Sequence, residues 1–259
     1  MVDEVAGLGF GLLREDTVLR AVLAVRGGDV FRDFRSEFGP DEDPADTYAR
    51  TSEALRRAVL FLQGSVSIPQ VRALPYALVL PVLTRFFSLH PEPDERNRVL
   101  LRRWVWRGAV SGVGAGATAA LRRAVQNVDE HQDESVQQLL ADVESNPRAP
   151  LDLGAVQLNR AAARANLALL ASLGPLDLTS GEPVDVSRVL DTEDSPGLLR
   201  LPGPSGRVES LASVFVHPQL DDEATEVITA ASPRSSRRTV YHPRRLTDSP
   251  PAIWLAFSR

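Results

Sequence analysis

The side chains of this sequence with the most capacity for chemistry are four histidines, a glycine-rich turn and a set of clustered arginines. His90, His131, His217 and His242 include no pair at the i, i+4 spacing that lets two imidazoles on one helix face share a zinc ion. His131 lies among Asp129, Glu130, Asp133 and Glu134, a group able to gather a cation. Acids at a helix start are, however, already explained by the partial positive charge of the helix end. His217-Pro218 and His242-Pro243 read as solvated loop histidines. Gly112, Gly114 and Ala117 satisfy G-x-G-x-x-G/A, whose backbone amides face a phosphate at a helix start. That fingerprint follows a buried strand, whereas residues 100–107 carry three arginines at helical spacing, so a close-packed turn is expected instead. No G-K-[ST] follows the glycines and no G-x-S-x-G occurs, which excludes a Walker phosphate loop and a serine elbow. The expectation is a chain with no catalytic residue, no metal site and no cofactor.

Arginine supplies all 29 permanently cationic side chains, a bias that codon usage explains, so only clustered arginines carry a functional reading. The formal net charge of -5 argues against a globally basic nucleic-acid binder but leaves room for a local basic face. Arg96, Arg103 and Arg107 share one helical stripe, and Arg102 stands one turn before Trp106, where a guanidinium can stack on an indole. Arg96, Arg102, Arg103, Trp106 and Arg107 are thus the candidate nucleic-acid or partner-binding residues. The competing expectation pairs these arginines with the abundant carboxylates. Two indoles at i and i+2 point to different faces, so Trp104 is expected in the core and Trp106 on the partner-facing side. A second basic cluster, Arg234, Arg237, Arg238, Arg244 and Arg245, lies near the C-terminus and reads as an electrostatic arm or a solvated end.

The elements that must position these residues are helices. Val18, Leu19, Val22 and Leu23 recur at helical spacing between acids and the stop Gly27-Gly28. Phe31, Phe34 and Phe38 predict one more helical turn set. Ala54, Leu55, Ala58, Val59 and Leu62 predict an amphipathic helix after an acidic stretch, with Gly64 as its stop. Leu78, Val79, Val82, Leu83, Phe86 and Phe87 predict the most apolar and central helix, with Pro75 in its first turn and Pro81 bending it. Further helices are expected over 97–110, 117–128, 136–143 and 156–173, the last ended by Gly174-Pro175. Beyond that the texture changes: 190–207 reads as a long loop, 214–216 as at most a local hairpin or extended piece, and 221–231 as a short helix. The fold class is mainly α: a multi-helix bundle over 1–175, a loop-rich extension with short helices packed on it over 176–231, and a flexible tail over 232–259.

The 259 residues, 43% apolar, suffice for a sizeable core, and the absence of cysteine excludes disulfides and thiolate metal sites. No basic start followed by an apolar run marks a signal peptide, and stretches such as 74–83 are broken by proline well short of the roughly 20 residues that span a bilayer. A cytoplasmic protein with no membrane partner is expected.

Three segments in order carry a family resemblance: Gly9-Phe10 ahead of a short helix, Leu74-Pro75-Tyr76 opening an apolar helix, and Leu101-Arg102-Arg103-Trp104-Val105-Trp106-Arg107 with Ser111-Gly112 behind it. Leu173-Gly174-Pro175, Ser210-Leu211-Ala212 and His217-Pro218 extend the same pattern, so that it covers about 5–220. Together they resemble the helical region downstream of the N-terminal domain in GmrSD-like restriction proteins. Members of that family are bacterial and phage-defence proteins. Their N-terminal domain, similar to ParB and sulfiredoxin folds, carries a D-G-Q-Q-R type motif associated with nucleotide use, and a His-Asn-His nuclease domain is often appended. Neither motif occurs here, the family's W-F-W appears as Trp104-Val105-Trp106, and a glycine-rich run replaces the tyrosine after Ser-Gly. The resemblance implies a non-catalytic helical module, as a truncated frame or separate subunit, acting through a nuclease or nucleotide-using partner and possible DNA contact. A stand-alone helical protein-interaction domain and a split nuclease completed by another chain are the alternative expectations.

Overall fold

A computed structural model describes residues 2–33, 37–39, 42–76, 79–111, 118–144, 161–177, 180–190, 198–200 and 214–216. The expected helix at 221–231, the tail at 232–259, the glycine-rich turn at 112–117, and Phe34 of the phenylalanine turn set lie outside these residues.

The described part is mainly helical. Helix α1 spans Val2–Gly7 and α2 spans Glu15–Arg26. Acids open α2, and Gly27 closes it at φ 81°, with Gly28 N–H donating to the Leu23 carbonyl at 3.2 Å. That left-handed step is the one the glycine pair predicts.

Helix α3, Ala45–Phe61, turns Thr51, Ala54, Leu55, Ala58 and Val59 inward. It does not stop at Gly64 as expected. The chain widens into a π turn over Leu62–Val66 and ends at Ser67, whose φ is 64°. The wider turn buries both Leu62 and Val66, and Gln63 secures it by donating to the Leu8 and Pro69 carbonyls at 3.1 and 3.2 Å. Tertiary burial and this side-chain clamp outweigh the local preference of glycine to end a helix.

A 3-10 turn, Val71–Ala73, leads to α4, Val79–Leu89, the apolar hub predicted from its spacing. Pro75 lies ahead of the described part of α4, and Pro81 falls in its first described turn. Helix α4 packs on α2, on α3 and on α6, Thr118–Gln126. Between them lies α5, Glu95–Ser111, which packs on α7, Gln132–Glu144, and on α8, Ala161–Ser172. One continuous core runs from Val5 and Phe10 to Leu190. Each fully buried Leu or Phe in it contributes about 1.5–3 kcal/mol.

Arg85 on α4 is the polar tie within this core. Its Nε donates to the Val128 carbonyl at 2.7 Å, just past α6, and its guanidinium to the Ala24 carbonyl at 2.8 Å near the end of α2. One cation thereby ties the C-terminal turn of α2, where the Ala24 carbonyl also accepts the Gly27 N–H, to the chain just beyond α6.

Gly174 takes φ 65° as predicted, and the chain doubles back through an antiparallel bridge between Leu176 and Pro183 into α9, Val186–Leu190. Val186, Val189 and Leu190 are buried. The stretch expected to be a loop over 190–207 contains a strand, β1, Leu198–Arg200, which pairs antiparallel with β2, Val214–Val216, Leu199 opposite Phe215. Three residues are too few to show a strand period, and the partner is distant in sequence, so local composition hides this pairing. Among the described residues no helix is long and apolar enough to cross a membrane.

Candidate functional site

Helix α5 carries every residue singled out for binding. Leu101, Trp104 and Val105 are buried as expected, but so is Trp106, at 5% exposure. The partner-facing position predicted for Trp106 is therefore corrected: α5 is flanked by α7, α8 and the π turn, and a helix enclosed on several sides buries both indoles. Among the described residues no guanidinium lies over the Trp106 ring. Arginine stacks elsewhere, with Arg20 and Arg122 at 5.0 and 5.1 Å from the Phe31 ring and Arg26 at 4.2 Å from Phe38.

Nor does the α5 stripe form one cationic surface. Arg96 pairs with Asp133 of α7 at 3.3 Å, which is the carboxylate pairing weighed against a phosphate face. Arg98 donates to the Ser65 hydroxyl at 3.1 Å. Arg102, Arg103 and Arg107 are half-buried along the helix.

The same helix meets the Leu74-Pro75-Tyr76 segment. The buried Tyr76 hydroxyl donates to the Val105 carbonyl at 3.2 Å, and the ring covers Gly108, where a Cβ would collide with the phenol. Burial pushes the phenol's pKa up, so it stays a neutral donor. The Leu74-Pro75-Tyr76 segment and the Val105–Gly108 stretch of α5 are thus one packing unit.

The acids around His131 open helices. Asp94 accepts from the Asn97 amide N–H at 2.8 Å at the start of α5, and the fully buried Asn97 side-chain amide donates to Asp94 at 2.8 Å and to Asp133 at 2.6 Å. Gln132 donates to Asp94 at 2.9 Å, so the first turns of α5 and α7 are laced together. The Asn97 N–H, above all, holds the Asp94 carboxyl below its ordinary range. Asp129 is likewise lowered, first by the His131 N–H, and its carbonyl lies 2.8 Å from the His90 ring nitrogen. Among the described residues no three His, Asp or Glu side chains gather as a metal site. His217, His242 and the Arg234–Arg245 cluster lie outside the described residues.

A cavity of about 300 Å³ forms where the start of α2, the 3-10 turn, α4 and α8 meet. Among the described residues its walls are Leu12, Val71, Leu74 and Leu80, and its polar lining is Thr17 with Arg14, Arg72 and Arg164. Arg72 donates to the Leu190 carbonyl at 2.8 Å. Arg14 is largely exposed and lies 3.2 Å from Asp16. Arg164 is half-buried, its Nε is shielded from solvent without a hydrogen-bond partner, and among the described residues it meets no carboxylate. Burial lowers its pKa, the expected effect of removing a cation from water without a counter-charge. Sequence reasoning missed this group because its arginines come from three distant segments. One signal was present: Arg164 is the only charged residue in α8, amid alanines and leucines.

Comparison with family models, with curated proteins and with solved structures gives no match.

Proposed function

We propose that the chain is a non-catalytic helical module of the kind its resemblance to GmrSD-like restriction proteins implies, a cytoplasmic phage-defence component that acts through a nuclease or nucleotide-using partner. The observation that supports this reading is the Tyr76–Val105–Gly108 contact. It joins two of the ordered segments quoted for the resemblance, so those residues are the signature of a scaffold and not of a reaction centre. The placement of the chemically capable groups agrees with it: Asp94, Asp129 and Asp133 are spent on helix starts, and His90 on the Asp129 carbonyl.

DNA contact belongs to the same proposal and would fall to the half-exposed Arg102 and Arg103, since Arg96 is already paired. The deciding experiment is co-expression with the frames adjacent to its gene. Co-purification with a protein bearing the D-G-Q-Q-R domain or a His-Asn-His nuclease, and nuclease activity that requires both chains, is the expected result. A chain that elutes alone, with no effect on either neighbour, belongs to the competing class of stand-alone interaction domain. For DNA, a duplex should bind with an affinity that falls with salt and drops in an Arg102→Ala, Arg103→Ala variant. Identical binding by the two proteins removes α5 from any role with nucleic acid.

A further inference from the structure

We infer that the cavity between α2, the 3-10 turn, α4 and α8 binds a small organic anion, one phosphate or carboxylate group on a compact apolar body, with Arg164 as the principal counter-charge. The inference is independent of the proposed restriction role.

Three observations carry it. The first is an imbalance of charge: Arg164 is half-buried, with a shielded Nε that has no acceptor, and no described carboxylate answers it. Of the arginines that line this cavity, Arg14 has Asp16 and Arg72 has the Leu190 carbonyl, which leaves Arg164 as the one without an acceptor among the described residues. A cation taken partly out of water without a partner is costly, and an anion that supplies the acceptor recovers that cost. The second is convergence. Arg14 reaches the cavity from the rim and Arg72 from the 3-10 turn, so three guanidinium-bearing side chains of distant origin line one space. The third is shape and lining. About 300 Å³, walled by Leu12, Val71 and Leu80, lies at the small end of ligand-site volumes, enough for one ring or a short chain bearing one charged group. Inorganic phosphate alone would leave the apolar wall unused.

Isothermal titration of the full chain at low salt tests this, with phenyl phosphate, inorganic phosphate and phenol as the probes. Phenyl phosphate should bind, inorganic phosphate about tenfold more weakly or worse, and phenol not at all, because charge and apolar contact are both required. Arg164→Gln should weaken phenyl phosphate by about tenfold or more, whereas Arg50→Gln, exposed on α3 and outside the cavity, leaves it unchanged. Leu12 is exposed at the mouth, so Leu12→Glu adds a repelling carboxylate without disturbing the core. It should weaken binding even if Arg164→Gln folds poorly. The inference is overturned by phenyl phosphate that shows no binding at millimolar concentration, by binding that Arg164→Gln and Leu12→Glu both leave intact, or by inorganic phosphate that binds as tightly.

Discussion

The phenol of Tyr76 fills the space that any side chain at Gly108 would need, while its hydroxyl is hydrogen-bonded one turn earlier to the Val105 carbonyl at 3.2 Å. One aromatic residue thereby sets how close the segment ahead of α4 can come to α5. The glycine is required by that approach and not by backbone conformation, since it lies within a regular helix.

Gly108→Ala should therefore destabilise the protein by about 1–3 kcal/mol, although alanine is the better helix former by up to about 1 kcal/mol. Urea unfolding gives the value. In a Tyr76→Phe background part of the cost should vanish, because the hydroxyl is the atom nearest the new methyl. Strictly additive effects in this cycle would mean that the two residues do not compete for space.

Arg85 is predicted to be among the costliest arginines to lose. It is half-buried and serves the Ala24 and Val128 carbonyls together, and charge-assisted hydrogen bonds are worth about 1.5–3 kcal/mol each. Arg85→Met should lower stability by about 2–4 kcal/mol, and Arg85→Lys by less, since an ammonium keeps the charge but not the fork. A midpoint unchanged by Arg85→Met would contradict the double-carbonyl tie.

Trp106 is predicted to behave as a core residue. Trp106→Ala should cost about 3–5 kcal/mol by thermal or chemical unfolding. Arg102→Ala, with no stacking on that ring to lose, should stay within about 0.5 kcal/mol. A stable, well-folded Trp106→Ala variant would return the indole to the surface.

Acid should weaken the fold in a definite window. Hydrogen bonds from Arg56 and then Arg57 hold the Glu53 carboxyl down from 4.5 to about 2. Asp94 and Asp129 are lowered chiefly by backbone N–H groups at helix starts. Each of these carboxyls is more acidic in the folded chain than in the unfolded one. Their stabilisation is therefore complete at neutral pH and is lost as pH falls from the ordinary carboxylate range toward about 2. Glu53 is nearly half exposed, so its own share is small and screened. Unfolding midpoints followed from neutral to acidic pH should fall across that window, and less steeply in Glu53→Gln. A flat profile would show that these carboxyls titrate alike in both states.

The helices were legible because burial repeats with the helical period. Val79, Val82, Leu83, Phe86 and Phe87 mark α4 from spacing alone, and Gly27 and Gly174 mark ends where a positive φ is needed. The π turn was not legible, since Gly64 looks like a stop until Leu62, Val66 and the Gln63 clamp are seen together. The β1–β2 pair was hidden for a related reason, as each strand is three residues long and finds its hydrogen bonds in the other.

The sequence by itself determined where the chain coils, which faces are apolar and which glycines end helices, because these depend on neighbours within a turn or two. Only the tertiary structure decided that Trp106 is buried beside Trp104, that Arg96 is neutralised by Asp133, and that Arg14, Arg72 and Arg164 line one cavity. The reason is physical. A side chain's solvation and counter-charge are set by whatever the packed chain brings within a few ångströms, and for these residues that neighbourhood comes from segments far apart in sequence.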